Sequence, residues 1–252
     1  MKDDTNSNDV GSVITALELL NLIANSPDIG LSEVARRVNL NKSRCYRLLT
    51  TLNKAGYVEQ DANTKAYRLG YQAAKIGQQS LNQSHLMKVV VQEVDRLQQT
   101  FNESFQVYIN QPNFKISQIY RRGSTQVLRV MSQFGTLRSL GQGASGKVLL
   151  AYAAEDVLNA FIQAHPQEPI NQSELAQIQR DGFYRSNGEL TKGVIALAVP
   201  IFSRDGVLIA AISCSLPEVR KDEQVIESIV KQLAEAAGRI GISLNSNEIL
   251  IN

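Results

Sequence analysis

The stretch Leu40-Asn41-Lys42-Ser43-Arg44-Cys45-Tyr46-Arg47-Leu48-Leu49-Thr50-Thr51-Leu52 decides the fold of the N-terminal third of this chain. Cys45, Leu48, Leu49 and Leu52 stand at i, i+3, i+4 and i+7, the spacing of one buried helix face, and the same helix turns Ser43, Arg44, Arg47 and Thr50 outward. The predicted helix covers residues 42–55 and stops at Gly56, where a left-handed backbone costs glycine little. Upstream, residues 32–38 form a shorter helix opening at Ser32, with Val34, Ala35 and Val38 spaced for burial and Arg36 and Arg37 for exposure. Asn39-Leu40-Asn41 between them leaves room only for a tight corner. A first helix over 13–24, with Ser12 as its N-cap, carries Val13, Leu17, Leu20 and Ala24 as its apolar stripe and ends before Pro27. Downstream, 57–60 and 66–69 alternate as strands around a polar tip at 61–65. Three short helices with a tight second corner, followed by a hairpin, describe a winged helix-turn-helix.

Charge singles out the same segment. The whole chain carries only +2, but residues 1–29 sum to −4, residues 30–75 to +6 and residues 76–252 to zero. Positive charge confined to one short stretch implies a local anionic partner. A recognition helix enters the major groove by its N-terminus, which places Asn41, Lys42, Ser43, Arg44 and Arg47 against double-stranded DNA. Arginine can bond guanine bidentately, Ser and Asn suit phosphates or base edges, and Lys65 and Arg68 of the hairpin reach toward the flanking backbone or minor groove. Tyr46 has two readings: stacking on sugar and phosphate, or packing against the wing.

At 252 residues the chain exceeds the usual size of about 100 to 200 for one domain, which points to two. With 43% hydrophobic and 20% charged residues each half can bury a core. No apolar run approaches the roughly 18 residues of a membrane span, and the opening MKDDTNSND is polar and acidic, unlike a signal peptide. A cytoplasmic protein without membrane attachment is expected. Two cysteines and two histidines supply neither a disulfide framework nor the parts of a zinc site or Ser-His-Asp triad, so no metal, cofactor or catalytic residue is expected.

After the hairpin, helix pattern runs over 72–100, and its Gln- and Ser-rich part at 76–83 marks the domain boundary. Strands are expected at 105–110, 115–121, 127–131, 183–186, 194–202 and 207–216, and helices at 146–153, 154–164, 174–181 and 222–242. Hairpin connections, such as Ser203-Arg204-Asp205-Gly206, make this an α+β domain with a mainly antiparallel sheet.

Gly141-Gln142-Gly143-Ala144-Ser145-Gly146-Lys147 meets the G-x-x-x-x-G-K part of a phosphate loop, but Val148 replaces the magnesium-binding hydroxyl. Nucleotide hydrolysis is therefore not expected. Two readings remain: a glycine-rich turn whose free N–H groups take a small anion, or glycines that let a helix pack closely on the sheet. In Ser213-Cys214-Ser215 the two hydroxyls share one strand face, lining a cavity or ending the strand near solvent.

Taken together, these residues resemble the IclR family of bacterial transcriptional regulators over about residues 11–241. The likeness rests on the stretch quoted first, on Gly56-Tyr57-Val58 and Tyr67-Arg68-Leu69-Gly70, and on Gly143-Ala144-Ser145-Gly146-Lys147-Val148-Leu149-Leu150-Ala151. Gly182-Phe183, Glu189, Gly193, Ala198-Val199-Pro200 and Ala211-Ile212-Ser213-Cys214-Ser215-Leu216-Pro217 continue it in order. The resemblance implies a disordered tail at 1–10, a winged helix-turn-helix domain at 11–71, a linker helix at 72–86, a GAF-like effector domain at 87–244 and a tail at 245–252. It further implies a dimer or dimer of dimers on an approximate inverted-repeat operator, and a small-molecule effector, an organic or aromatic carboxylate, that modulates operator binding. Relatives that take small keto acids use positions matching Gly143, Ala144, Ser145, Ser213 and Ser215. Their acidic and cysteine positions fall on Ser186 and Ala196 here, departures that point to a bulkier, less polar ligand, with Arg129 and Arg138 as counter-ions. Two other readings stay open: a DNA-binding protein whose C-terminal domain only oligomerises, and a small-molecule-converting enzyme.

Overall fold

The computed structural model describes residues 9–131, 137–167 and 170–244, and the side chains of 81–83 lie outside that description. The predicted tails at 1–10 and 245–252 therefore fall almost wholly beyond the described residues. The chain divides into two compact units, Met1–Gln83 and Ser84–Asn252.

In the first unit, α1 (Gly11–Asn25), α2 (Leu31–Arg37) and α3 (Lys42–Lys54) precede β1 (Val58–Gln60), β2 (Tyr67–Leu69) and α4 (Tyr71–Gln83). The two strands pair antiparallel with Glu59 opposite Arg68, forming the expected wing. Cys45 and Leu49 of α3, Val34 and Ala35 of α2, and Val58 and Tyr67 of the wing close one core. Gly56 adopts φ +76° after α3, the left-handed turn that its position in sequence requires.

α1 corrects two expectations. Its N-cap is Val10, with no side-chain cap bond, and Ser12 lies inside the helix. Its buried residues are Leu19 and Ile23, whereas Val13 and Leu17 are exposed. This helix is apolar on two sides, so periodicity alone does not choose the packed one. The choice is made by the neighbouring α3 and wing, which share a core with Leu19 and Ile23.

The second unit opens with α5 (His85–Phe101). The helical pattern over 72–100 is broken at Ser84, whose extended backbone and hydroxyl, accepting from the Met87 amide at 3.2 Å, form an N-cap. β3 (Ser104–Gln111), β4 (Lys115–Arg122), β5 (Arg138–Ser139), α6 (Gly143–Ala151), α7 (Glu155–Ala164), α8 (Gln172–Asp181), β6 (Tyr184–Asn187), β7 (Val194–Phe202), β8 (Leu208–Pro217) and α9 (Glu223–Ile242) follow. The six strands form one sheet in the order β5-β4-β3-β8-β7-β6, with every pairing antiparallel. The fold is α+β, as expected.

Alternation along the central strands divides the sheet into two faces. Phe105, Val107, Ile212 and Cys214 join α5 and α9 in one core, while Tyr108, Ala198 and Ala211 join α6, α7 and α8 in the other. The strand expected at 127–131 is absent. Long-range tethers hold that segment as a loop instead: the Ser104 hydroxyl donates to the Val130 carbonyl at 2.8 Å, and Arg220 Nη1 donates to the Leu128 carbonyl at 2.8 Å.

Candidate functional site

Two surfaces, one in each unit, gather the chemistry anticipated above. On α3 the Asn41 side chain accepts from the Arg44 amide at 2.8 Å, so its carbonyl oxygen caps the helix while its amide nitrogen keeps both donors for a partner. Lys42, Ser43, Arg44, Tyr46 and Arg47 are all exposed along the helix that follows. Tyr46 stands 53% exposed, which leaves it able to stack on a partner.

Ion pairing separates the basic side chains into two groups. Arg36 and Arg37 are both held by Glu33, at 2.6 and 2.7 Å, and these bonds lower the Glu33 carboxyl to about 2. Arg68 of the wing meets Glu59 at 3.3 Å. Lys42, Arg44, Arg47 and Lys65 have no carboxylate partner among the described residues. Lys65 sits at the wing tip with φ +58°, and Ser32 is exposed on α2. Lys42, Arg44 and Arg47 thus present unpaired charge along α3 to a polyanion, and Lys65 does so at the wing tip beside the Asp61 carboxylate, which accepts from Asn63 and Thr64.

In the second unit the strand register builds the floor of a cavity. Ser215 lies opposite Ala196, and Ala196 opposite Ser186; one step along, Ser213 lies opposite Gln106 on β3. Small side chains in adjacent positions leave space above the sheet, and α6 brings Gly143, Ala144 and Ser145 to its edge. The cavity, open on one side, has a volume of about 380 Å³. All seven positions named for a ligand from sequence, Gly143, Ala144, Ser145, Ser186, Ala196, Ser213 and Ser215, line this one cavity. Cys214 points to the opposite core, as strand alternation requires, and complete burial there pushes its thiol pKa well up.

Gly143 has φ +65°, a left-handed backbone that other residues adopt only with strain, and a Cβ there would also displace the half-exposed Leu190 side chain. The left-handed backbone is what calls for glycine at this position. α6 begins at Gly143, three residues earlier than sequence pattern placed it, and Gln142 ahead of it makes no side-chain cap bond. First-turn amides of a helix lack intrahelical acceptors, so α6 presents donors and a positive dipole end at the cavity.

Lys147 is tied up elsewhere. Its Nζ lies 3.0 Å from Glu174 and 3.1 Å from Glu189, and it donates to the Tyr184 hydroxyl at 2.9 Å. Burial, together with hydrogen bonds to both carboxylates, raises the Tyr184 pKa and keeps the phenol protonated. An ammonium gripped by two carboxylates does not act as the lysine of a phosphate loop, in keeping with the missing hydroxyl at Val148.

Sequence reading missed Gln106 and Tyr108, which line the cavity with Arg138. The signal was present: Ser104, Gln106 and Tyr108 alternate with Phe105, Val107 and Ile109, a polar face on an otherwise apolar strand. Of the two expected counter-ions, Arg138 lines the cavity and lies 4.4 Å over the Tyr108 ring. Arg129 does not line it; it is exposed and bonds the Gln126 carbonyl. Among the described residues no helix is long and apolar enough to cross a membrane, and no three His, Cys, Asp or Glu side chains gather as a metal site.

Residues 12–62 match the family described as the IclR helix-turn-helix domain, and residues 78–242 match the one described as bacterial transcriptional regulator IclR C-terminal. The HTH-type transcriptional regulator KdgR of Escherichia coli K12 is 28% identical to this chain over 264 residues, covering 97% of each. Among solved structures, an IclR transcriptional regulator from Alicyclobacillus acidocaldarius superposes with TM-score 0.85 at 22% identity, over 92% of this chain and 98% of the other. An IclR homologue from Microbacterium hydrocarbonoxydans, complexed with 4-hydroxybenzoate, gives TM-score 0.76 at 22% identity with the same coverage.

Proposed function

Because this chain belongs to the IclR family of bacterial transcriptional regulators and is a DNA-binding transcriptional regulator rather than an enzyme, we propose that a small carboxylate in the sheet cavity sets its affinity for an operator. The observation that carries this reading is the cavity itself: seven positions spread over residues 143–215 converge on one space beside an uncapped helix start. An IclR homologue of the same fold is complexed with 4-hydroxybenzoate, which supports a carboxylate as the ligand.

The operator is an approximate inverted repeat read by two copies of α3 in a dimer or dimer of dimers, with Arg44 and Arg47 on base edges and Lys42, Ser43, Tyr46, Lys65 and Arg68 on the backbone. Arg68 must exchange its exposed contact with Glu59 for phosphate, a change that costs little because exposed ion pairs are weak. Ser32 stands at the backbone side of the corner and Asn41 fixes the helix start. The effector acts by population shift: it binds one arrangement of the second unit better and, through the linker helix, biases the spacing of paired recognition helices. The protein works in the cytoplasm, where its operator is.

Alanine at both Ser213 and Ser215 tests the ligand half of this reading. In operator titrations the double variant should bind DNA like the wild type and respond to effector at a concentration raised about tenfold, the equivalent of one or two lost hydrogen bonds. An unchanged response would remove these serines from the site.

A further inference from the structure

Taking the effector reading of the cavity as its basis, we propose that the ligand is a short hydroxylated aliphatic acid, its carboxylate held at Arg138 and α6 and its hydroxyls held by Gln106, Ser186, Ser213 and Ser215. Burial grades the lining into two zones. The floor is polar: Gln106 is 3% exposed, and Ser145, Ser186 and Ser213 are similarly buried. Of the apolar side chains, Met131 (71% exposed) and Leu190 (50%) stand at the mouth, whereas Ala144 and the Tyr108 ring are buried beside the polar groups. A bulkier, less polar ligand, the expectation from Ala196, would set carbon against that floor.

The floor also presents hydrogen-bonding groups that the protein leaves unused. Gln106 Oε1 accepts from Ser213 at 3.2 Å and Ser215 at 3.4 Å, while its Nε2 has no acceptor among the described residues. The hydroxyls of Ser145 and Ser186 likewise have no hydrogen-bond partner among the described residues. Buried amides and hydroxyls without partners are costly, and a benzene ring laid over them would remove their remaining access to water. A ligand hydroxyl both donates and accepts, so several of them on one carbon chain match this mixed set.

The carboxylate end is fixed by a second cluster. Arg138 has no carboxylate partner among the described residues, and its Nη1 lies 3.8 Å from where a Cβ on Gly143 would stand. The guanidinium and the uncapped α6 start therefore converge on the same corner, the arrangement that holds a carboxylate. Glu189 also lines the cavity, and its charge is offset in part by Lys147 at 3.1 Å, which it shares with Glu174.

Calorimetric titration of the full chain with D-gluconate, D-galactonate, D-mannonate, sorbitol, hexanoate and benzoate tests the assignment. At least one aldonate should bind about tenfold or more tightly than sorbitol, hexanoate and benzoate, since each of these lacks one half of the match. Arg138→Gln should bring that aldonate toward sorbitol, and Gln106→Leu should bring it toward hexanoate, with melting temperature reporting whether each variant folds. Ser186→Ala, a smaller change, should show the same trend as Gln106→Leu in reduced form. Hexanoate or benzoate binding as tightly as the best aldonate overturns the hydroxy-acid assignment while leaving an effector in the cavity. Absence of binding by every carboxylate overturns both.

Discussion

Helix α3 begins with Asn41, whose side chain accepts from the Arg44 amide at 2.8 Å, whereas α6 begins after Gln142 with no side-chain cap. Both starts stand beside arginine without a carboxylate partner among the described residues, Arg44 and Arg47 in one case and Arg138 in the other. Their surroundings differ. The side chains of α3 are exposed, while Gly143, Ala144, Ser145 and Gly146 are buried. An exposed helix start can be capped and still read DNA, because its information lies in the projecting side chains. In the proposed effector reading, the buried start keeps its peptide donors for the ligand. One helix has closed its backbone and opened its side chains; the other has done the reverse.

The largest effect should come from Arg44→Ala combined with Arg47→Ala. If each side chain reads a base, the loss is about 1 to 3 kcal/mol apiece, and affinity falls by about 2 to 6 kcal/mol for each half-site. Ligand binding to the second unit should be untouched. A matched pair of cap variants sharpens the contrast further. Asn41→Ala should destabilise the first unit by about 1 kcal/mol, read as a lower urea midpoint. Gln142→Ala, at the equivalent position of α6, should change stability by less than about 0.5 kcal/mol. Equal losses at the two positions would mean that α6 is capped after all.

The smallest effect concerns the arginines that Glu33 already pairs. Glu33 accepts from Arg36 and Arg37, and these bonds bring its carboxyl from 4.5 down to about 2. A folded value below the unfolded one stabilises the native state above about pH 4.5, and that stabilisation disappears as pH falls through about 2. Glu33→Gln removes it, so the melting-temperature gap between wild type and variant should narrow on acidification. The gap should be small throughout, because the carboxylate is exposed and screened. A gap that widens toward low pH would contradict this pairing.

Much of both sites was legible from local pattern. The corner at Asn39-Leu40-Asn41, the i, i+3, i+4, i+7 stripe from Cys45, and the separation of Ser213 and Ser215 from Cys214 follow from helix and strand periods alone. What escaped depends on partners distant in sequence. The packed side of α1 is selected by α3 and the wing, and the segment 127–131 has strand-like composition but is tethered as a loop from Ser104 and Arg220. Gln106 was visible as a polar residue in an apolar strand. Its place beside Ser213 depends on a β3–β8 pairing more than a hundred residues apart, which no local pattern specifies. Arg129 and Arg138 looked equivalent in sequence, and only the pairing of β5 with β4 brings Arg138 to the cavity.

The division of labour between the two helix starts is tested most directly by one titration series on a DNA fragment selected by the wild-type protein from a random library, with binding of the aldonate that the wild type holds most tightly followed in parallel. The Arg44→Ala, Arg47→Ala variant should lose the fragment and keep the ligand; the Ser213→Ala, Ser215→Ala variant should keep the fragment and bind the ligand more weakly. Wild-type DNA affinity in the arginine variant, with its fold intact, would contradict the account.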